Sequence, residues 1–259
     1  MSKLVFITGA SSGIGQALAL AYYEAGYNLA LVARRTEEIK SWSSRHNISL
    51  DRYKIYSSDV SDIDGIVAAG KACIAAQGLP DVVIANAGIS VGVDTAIRDD
   101  LDQLAQTFAT NNIGLAATFH PFIEGMLLRK SGKLVGIGSV AAIRGMPGHG
   151  AYCGSKAAVI SYCESLRGEL RGSGVQVVTI CPGYIKTPMT EKNNFPMPFL
   201  MEADDFAKQS LVKIEAGSSY SVIPWQMGVV AKLLRLMPNA LFDKALAGRG
   251  RKARANITE

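Results

Sequence analysis

Leu4-Val5-Phe6-Ile7-Thr8-Gly9-Ala10-Ser11-Ser12-Gly13-Ile14-Gly15 opens the chain with a short apolar run, three spaced glycines, and then a helical pattern from Ser12 to Gly26. Gly9 permits a tight turn out of the strand. Gly13 removes a Cβ so that a pyrophosphate can approach the backbone, and Gly15 lets the helix lie close to the sheet. The N-terminus of that helix offers free N–H groups and a partial positive charge to phosphate. Thr8, Gly9, Ser11, Ser12, Gly13, Ile14 and Gly15 are therefore candidate contacts for a phosphate-bearing cofactor.

Outward from this turn, short β-branched runs alternate with longer helical stretches. Strands are expected at Asn28–Val32, Lys54–Tyr56, Asp81–Ile84, Lys133–Ile137, Val175–Ile180 and Ser221–Pro224. Helices are expected at Glu37–Arg45, Asp62–Gln77, Leu101–Arg129 and Tyr152–Arg171, the third bent near Gly114 or Pro121. Strand–helix alternation at this spacing predicts a single-domain α/β fold over residues 1–259. Its form is a doubly wound parallel sheet with helices on both faces.

The charge is uneven. The chain of 259 residues has 27 Lys+Arg against 22 Asp+Glu, a net of +5. Lys244, Arg249, Arg251, Lys252 and Arg254 supply the whole excess, so the body is neutral and the basic tail, 244–259, reads as a solvated appendage. A neutral body argues against nucleic acid as a partner. No run of about 18 apolar residues is present for a membrane span. The four apolar residues at the start fall short of the roughly 7–15 of a signal peptide. Cys73, Cys153, Cys163 and Cys181 form no C-x-x-C pair, and His46, His120 and His149 are scattered. No metal is expected, and the cysteines read as buried thiols of a cytoplasmic protein.

Tyr152-Cys153-Gly154-Ser155-Lys156 places a phenol and an ammonium four residues apart on one helix face. A free phenol has a pKa of about 10. A neighbouring ammonium favours the phenolate and brings proton transfer toward neutrality. The spacing Thr8-Gly9-x3-Gly13-x-Gly15 together with this pair resembles the short-chain dehydrogenase/reductase family. The resemblance runs through ordered motifs from Thr8 to Thr187, about three quarters of the chain. It implies a Rossmann-type fold and interconversion of a carbonyl and a secondary alcohol by hydride transfer. Tyr152 would be the general acid/base, Lys156 its electrostatic partner and a contact for the nicotinamide ribose, and Ser139 the group holding the substrate oxygen. Asn111 would hold a water that links Lys156 to solvent. Asp59 and Val60 match the family's adenine-binding pair, and Asn86-Ala87-Gly88 its motif after the fourth strand. Pro182, Gly183, Ile185 and Thr187 match a turn that closes over the nicotinamide.

Cofactor choice rests on the end of the second strand, Val32-Ala33-Arg34-Arg35. NAD sites carry an acid about 20 residues beyond the glycines to bind the ribose hydroxyls. Ala33 stands there instead. Arg34 can pair with a 2′-phosphate and Arg35 can assist, so NADP(H) is expected and NAD(H) is the alternative.

Substrate selection is assigned to Val140–Gly150 and to an apolar lid over about 184–225, which includes Met189, Phe195, Met197, Phe199, Leu200 and Met201. An apolar or mixed small-molecule carbonyl or alcohol is the expected substrate. His149, three residues before Tyr152, is within sequence reach of it. Gln226–Leu246 reads as an apolar-faced helical pair broken at Pro238, packing on the lid or another subunit. Its other reading, with the basic tail, is association with a membrane surface. By resemblance a homodimer or homotetramer is expected, through the helices near 101–129 and 152–171. The rival functions are a nucleotide sensor or scaffold with little turnover, an epimerase or dehydratase of the extended short-chain group, and an NAD-preferring dehydrogenase.

Overall fold

Seven strands form one parallel sheet: β1 (Leu4–Thr8), β2 (Asn28–Ala33), β3 (Tyr53–Ser57), β4 (Val82–Ala85), β5 (Gly132–Ile137), β6 (Val175–Pro182) and β7 (Tyr220–Ile223). Their spatial order is β3-β2-β1-β4-β5-β6-β7. This computed structural model describes residues 3–191, 193, 196–248, 251, 252 and 254. All the paired strands run parallel, with Ile7 beside Leu31 on one side and Ile84 on the other. The doubly wound α/β expectation is met.

Period-two alternation divides each strand between two cores. Val5, Ile7, Leu29, Leu31, Ile84 and Ile180 face one layer, formed by α1 (Gly13–Glu24), α2 (Thr36–Arg45) and α7 (Ala203–Glu215). Phe6, Ala30, Val32, Val83, Leu134 and Val177 face the other. That layer is formed by α3 (Ile63–Gln77), α5 (Gly114–Arg129) and α6 (Gly150–Glu169). Sequence order reverses between β1 and β4, which both leave the sheet at the same end. A crevice opens there beyond the strand termini.

Two expectations change. The long helix over 101–129 is two helices, α4 (Arg98–Phe108) and α5, joined by a π-helical turn at Ala109–Ile113. The irregularity therefore precedes Gly114, while Pro121 sits inside α5. Such turns insert an extra residue into the ladder and commonly re-aim side chains at functional sites. Here the turn contains Asn111.

The lid expected over about 184–225 is shorter. Phe206, Ala207, Ser210 and Ile214 of α7 are fully buried, and α7 and β7 belong to the scaffold. The remaining loop is pinned at its base: Ile185 bridges Met201, and Lys186 pairs with Glu202 at 3.0 Å. Met189, Phe199 and Leu200 are exposed beyond that base, and Phe195 lies outside the described residues.

The C-terminal pair is α8 (Trp225–Leu236) and α9 (Asn239–Leu246), parted at Pro238. Its anchor is the loop before α6. Arg144 donates to the carbonyls of Leu234 and Met237 and to Asn239, and stacks over Phe242 at 3.8 Å. Among the described residues no helix is long and apolar enough to cross a membrane.

If α7 is scaffold, Phe206→Ala should cost about 3–5 kcal/mol in urea unfolding, the range for emptying a buried aromatic site. A mobile lid residue would show almost no loss.

Candidate active site

The crevice is built first by closing β1 onto β4. The Thr8 hydroxyl accepts the N–H groups of Asn86 and Ala87 at 3.1 and 3.2 Å. The Asn86 amide donates to the Thr8 carbonyl at 2.9 Å. Gly9 has φ +69°, and a Cβ there would press on the Ala87 backbone at 2.8 Å. A Cβ on Gly15 would collide with the Gly9 carbonyl. Both positions thus require glycine, one for its φ and one for close approach. Ser12 caps α1 without its side chain, and the first turn of α1 carries no acid. Its orphan N–H groups are left for an anion.

Almost all the sequence-predicted residues line one cleft of about 420 Å³. They are Gly9, Ser11–Gly15, Arg34, Arg35, Asp59, Val60, Asn86–Gly88, Ser139, Tyr152, Lys156, Pro182, Gly183, Ile185 and Thr187. Thr8 and Asn111 stand behind the wall as supports. At one end Arg34 pairs with Asp59 at 3.1 Å, and Arg35 reaches Ser11 of the glycine turn at 3.4 Å. Arg35 thus bonds the glycine turn while Arg34 bonds the residue after β3. Burial opposes ionisation of Asp59, but the Ser61 N–H and hydroxyl, with Arg34, bring its pKa below the usual carboxylate value.

At the other end Tyr152 and Ser139 meet. Burial pushes the Tyr152 phenol above its ordinary value, and a hydrogen bond with Ser139 pulls the other way. Lys156 is buried, donates to the Ile137 carbonyl at 2.8 Å, and lies 5.9 Å from the Tyr152 ring centroid. Burial lowers its pKa to about 8.

The Asn111 side chain is held by three hydrogen bonds. Its oxygen accepts the Ile89 N–H at 2.9 Å. Its nitrogen donates to the Ile89 carbonyl and the Ser155 hydroxyl at 3.1 and 2.9 Å. This amide ties the loop after β4 to α6. His149 is buried at the start of α6, where burial and Lys252 lower its pKa and keep it neutral. A separate hollow of about 740 Å³, between α6 and α9, holds none of the candidate catalytic residues. Among the described residues no group of three His, Cys, Asp or Glu is placed to hold a metal, and all four cysteines are buried thiols.

The model of the short chain dehydrogenase family matches residues 3–197. The chain belongs to that family. A Myxococcus xanthus protein described as an uncharacterized oxidoreductase is 37% identical over 243 residues, 94% of this chain and 96% of that one. A short-chain dehydrogenase/reductase from Burkholderia phymatum, solved in complex with NAD, superposes with a TM-score of 0.81 at 23% identity. The match covers 90% of this chain and 92% of that one. ElxO with NADP bound gives 0.77 at 24% identity, covering 86% and 97%. The protein is thus an oxidoreductase of the short-chain dehydrogenase family.

Sequence reading missed the supports of this short-chain dehydrogenase site. Ser155 is fully buried and joins Asn111 to the Tyr152 carbonyl, to which it donates at 2.9 Å. Its signal was a small polar residue on the inward face of α6, between Tyr152 and Lys156. Thr190 folds the closing turn by donating to the Ile185 carbonyl at 2.6 Å and accepting the Thr187 N–H at 3.0 Å.

Lys156 also makes a stability prediction. Its folded value of about 8 lies below its ordinary 10.5. Between these values the unfolded chain holds the extra proton, so stability rises with pH across that window. Below pH 8 the buried charge is a standing cost of about 3 kcal/mol, partly offset by the bond to Ile137. Lys156→Met should therefore stabilise the cofactor-free protein by about 2 kcal/mol at pH 7. That gain should vanish as pH approaches 10.5, read by denaturant melts. Destabilisation at pH 7 would contradict the desolvation account.

Proposed function

We propose that this protein is an NADP(H)-dependent oxidoreductase interconverting a carbonyl and a secondary alcohol, with Tyr152 as general acid/base. One observation carries the reading: Ser139, Tyr152 and Lys156 converge at one end of the cleft whose other end holds Arg34 and Arg35. Between the two ends lies the uncapped start of α1 beside the glycine turn. The spacing suits a dinucleotide with its phosphates on the turn. The absence of an acid at Ala33, with two guanidiniums beside it, favours the 2′-phosphorylated form. The family neighbours solved with NAD or NADP support a nicotinamide cofactor.

When bound, that cofactor supplies the hydride. In reduction, the Ser139 and Tyr152 hydroxyls hold the substrate oxygen and stabilise the charge that grows on it. Tyr152, kept protonated by burial, gives its proton to that oxygen. The Lys156 ammonium stabilises the phenolate left behind and contacts the nicotinamide ribose. Gly13 to Gly15 hold the pyrophosphate, Asp59 and Val60 the adenine, and Pro182 to Thr187 cover the nicotinamide. Because the Asn111 amide is committed to Ile89 and Ser155, its contribution is to position this wall. The apolar loop tip at Met189, Phe199 and Leu200 favours an apolar or mixed small-molecule substrate. The fold suits a cytoplasmic homo-oligomer.

Tyr152→Phe should lower kcat by roughly 10²–10⁴-fold while NADPH affinity stays unchanged. This is measured by a carbonyl screen followed at the NADPH absorbance and by cofactor fluorescence. Full activity in the variant would remove Tyr152 from the chemistry. Arg34→Ala with Arg35→Ala should weaken NADPH binding by about tenfold and leave NADH nearly unaffected. Equal losses would overturn the NADP(H) assignment.

A further inference from the structure

Two of the tail's positive charges, Arg251 and Arg254, pair with acids of the body. Arg254 Nε and Nη2 donate to the two carboxylate oxygens of Asp100 at 2.7 and 2.9 Å, a two-pronged pairing. Asp100, in the first turn of α4, is 2% exposed and also accepts the Asp94 N–H at 2.7 Å. Arg251 donates to Asp94 at 2.8 Å. The backbone takes part: Arg254 forms a parallel bridge with Gly92, and the Val93 N–H donates to the Gly148 carbonyl at 3.1 Å. Arg251 lies against Gly148, where an added Cβ would come within 3.0 Å of it. Segments 92–100 and 148–149, far apart in sequence, are joined in one knot with Arg251 and Arg254. Within the tail expected as a solvated appendage, Arg251 and Arg254 stay exposed to water yet reach acids of the body; Arg249 lies outside the described residues.

Both loops in the knot continue into the catalytic wall. The first begins at Ile89, which lines the cleft and is held at its N–H and carbonyl by Asn111. The second ends at His149, whose carbonyl accepts the Cys153 N–H at 2.8 Å in the turn of α6 that carries Tyr152. Asp100 is covered by a guanidinium that is itself part-exposed, and the two-pronged geometry and the Asp94 N–H hold the carboxylate in place.

We propose that Arg254, assisted by Arg251, is a positioning residue for substrate. The C-terminal segment is a clasp that holds the loop after β4 against the loop before α6. It thereby fixes the substrate side of the cleft without touching the cofactor side. The kinetic part rests on the oxidoreductase reading; the clasp itself does not.

The test uses the full-length chain with Arg254→Ala, Arg254→Lys and Arg251→Ala. Hydrogen exchange reads residues 89–100 and 143–151, fluorescence titration reads NADPH affinity, and the carbonyl compound selected by the screen gives KM and kcat. For Arg254→Ala, exchange should rise about tenfold in both loops. KM should rise about tenfold, with kcat and NADPH affinity within about twofold. Arg254→Lys, which keeps the charge but loses one prong, should fall between, and it carries the same test if the alanine variant does not fold. Exchange that rises only in the tail overturns the clasp. An unchanged KM, or equal losses in KM and NADPH affinity, overturns the positioning role. If no carbonyl compound is turned over by the unaltered protein, the functional reading fails, and exchange alone still decides the clasp.

Discussion

The Asn86 amide, donating to the Thr8 carbonyl at 2.9 Å, holds the carboxyl ends of β1 and β4 together where the strand order reverses. Without that closure the glycine turn has nothing to lean on. Gly9 can pack on Ala87 because it lacks a Cβ, and Gly15 can pass the Gly9 carbonyl for the same reason. These contacts aim the start of α1, with its unused N–H groups, into the crevice. In the proposed reading, phosphate recognition would follow from backbone proximity, which side chains at these positions would prevent.

The other half of the site depends on burial. Lys156 is buried and Tyr152 partly so, and burial drives each toward its neutral form. A neutral, protonated phenol is a proton donor in waiting, and a lysine near 8 can still be charged at neutrality. The Ile137 carbonyl and the Ser139 hydroxyl keep the pair oriented at low conformational cost.

How much of this was written in the sequence depends on how local each feature is. Strands with β-branched runs are local, and they read correctly; the glycine turn and the Tyr152–Lys156 spacing are equally local, and the fold brings both to one cleft. Helix α7 was equally local: Phe206, Ala207, Ser210, Leu211 and Ile214 keep a helical spacing behind two acids. It was missed because the neighbouring proline- and methionine-rich stretch drew both segments into one lid. The π turn at Ala109–Ile113 escaped because no proline or glycine marks its centre. The pairing of Arg254 with Asp100 spans 154 residues, and no periodicity encodes such a meeting. For the same reason nothing in the charge pattern marked Arg251 and Arg254, among the five basic residues of the tail, as partners of Asp94 and Asp100.

The central claim is that the two ends of the cleft serve a single hydride transfer. NADPH carrying deuterium on one face of nicotinamide C4, supplied with a carbonyl substrate, tests it most directly by mass spectrometry of the alcohol. One deuterium on the carbinol carbon from one labelled face, and none from the other, is the predicted result. Cofactor consumption without deuterium in the product, or no binding of NADPH at all, would contradict the account.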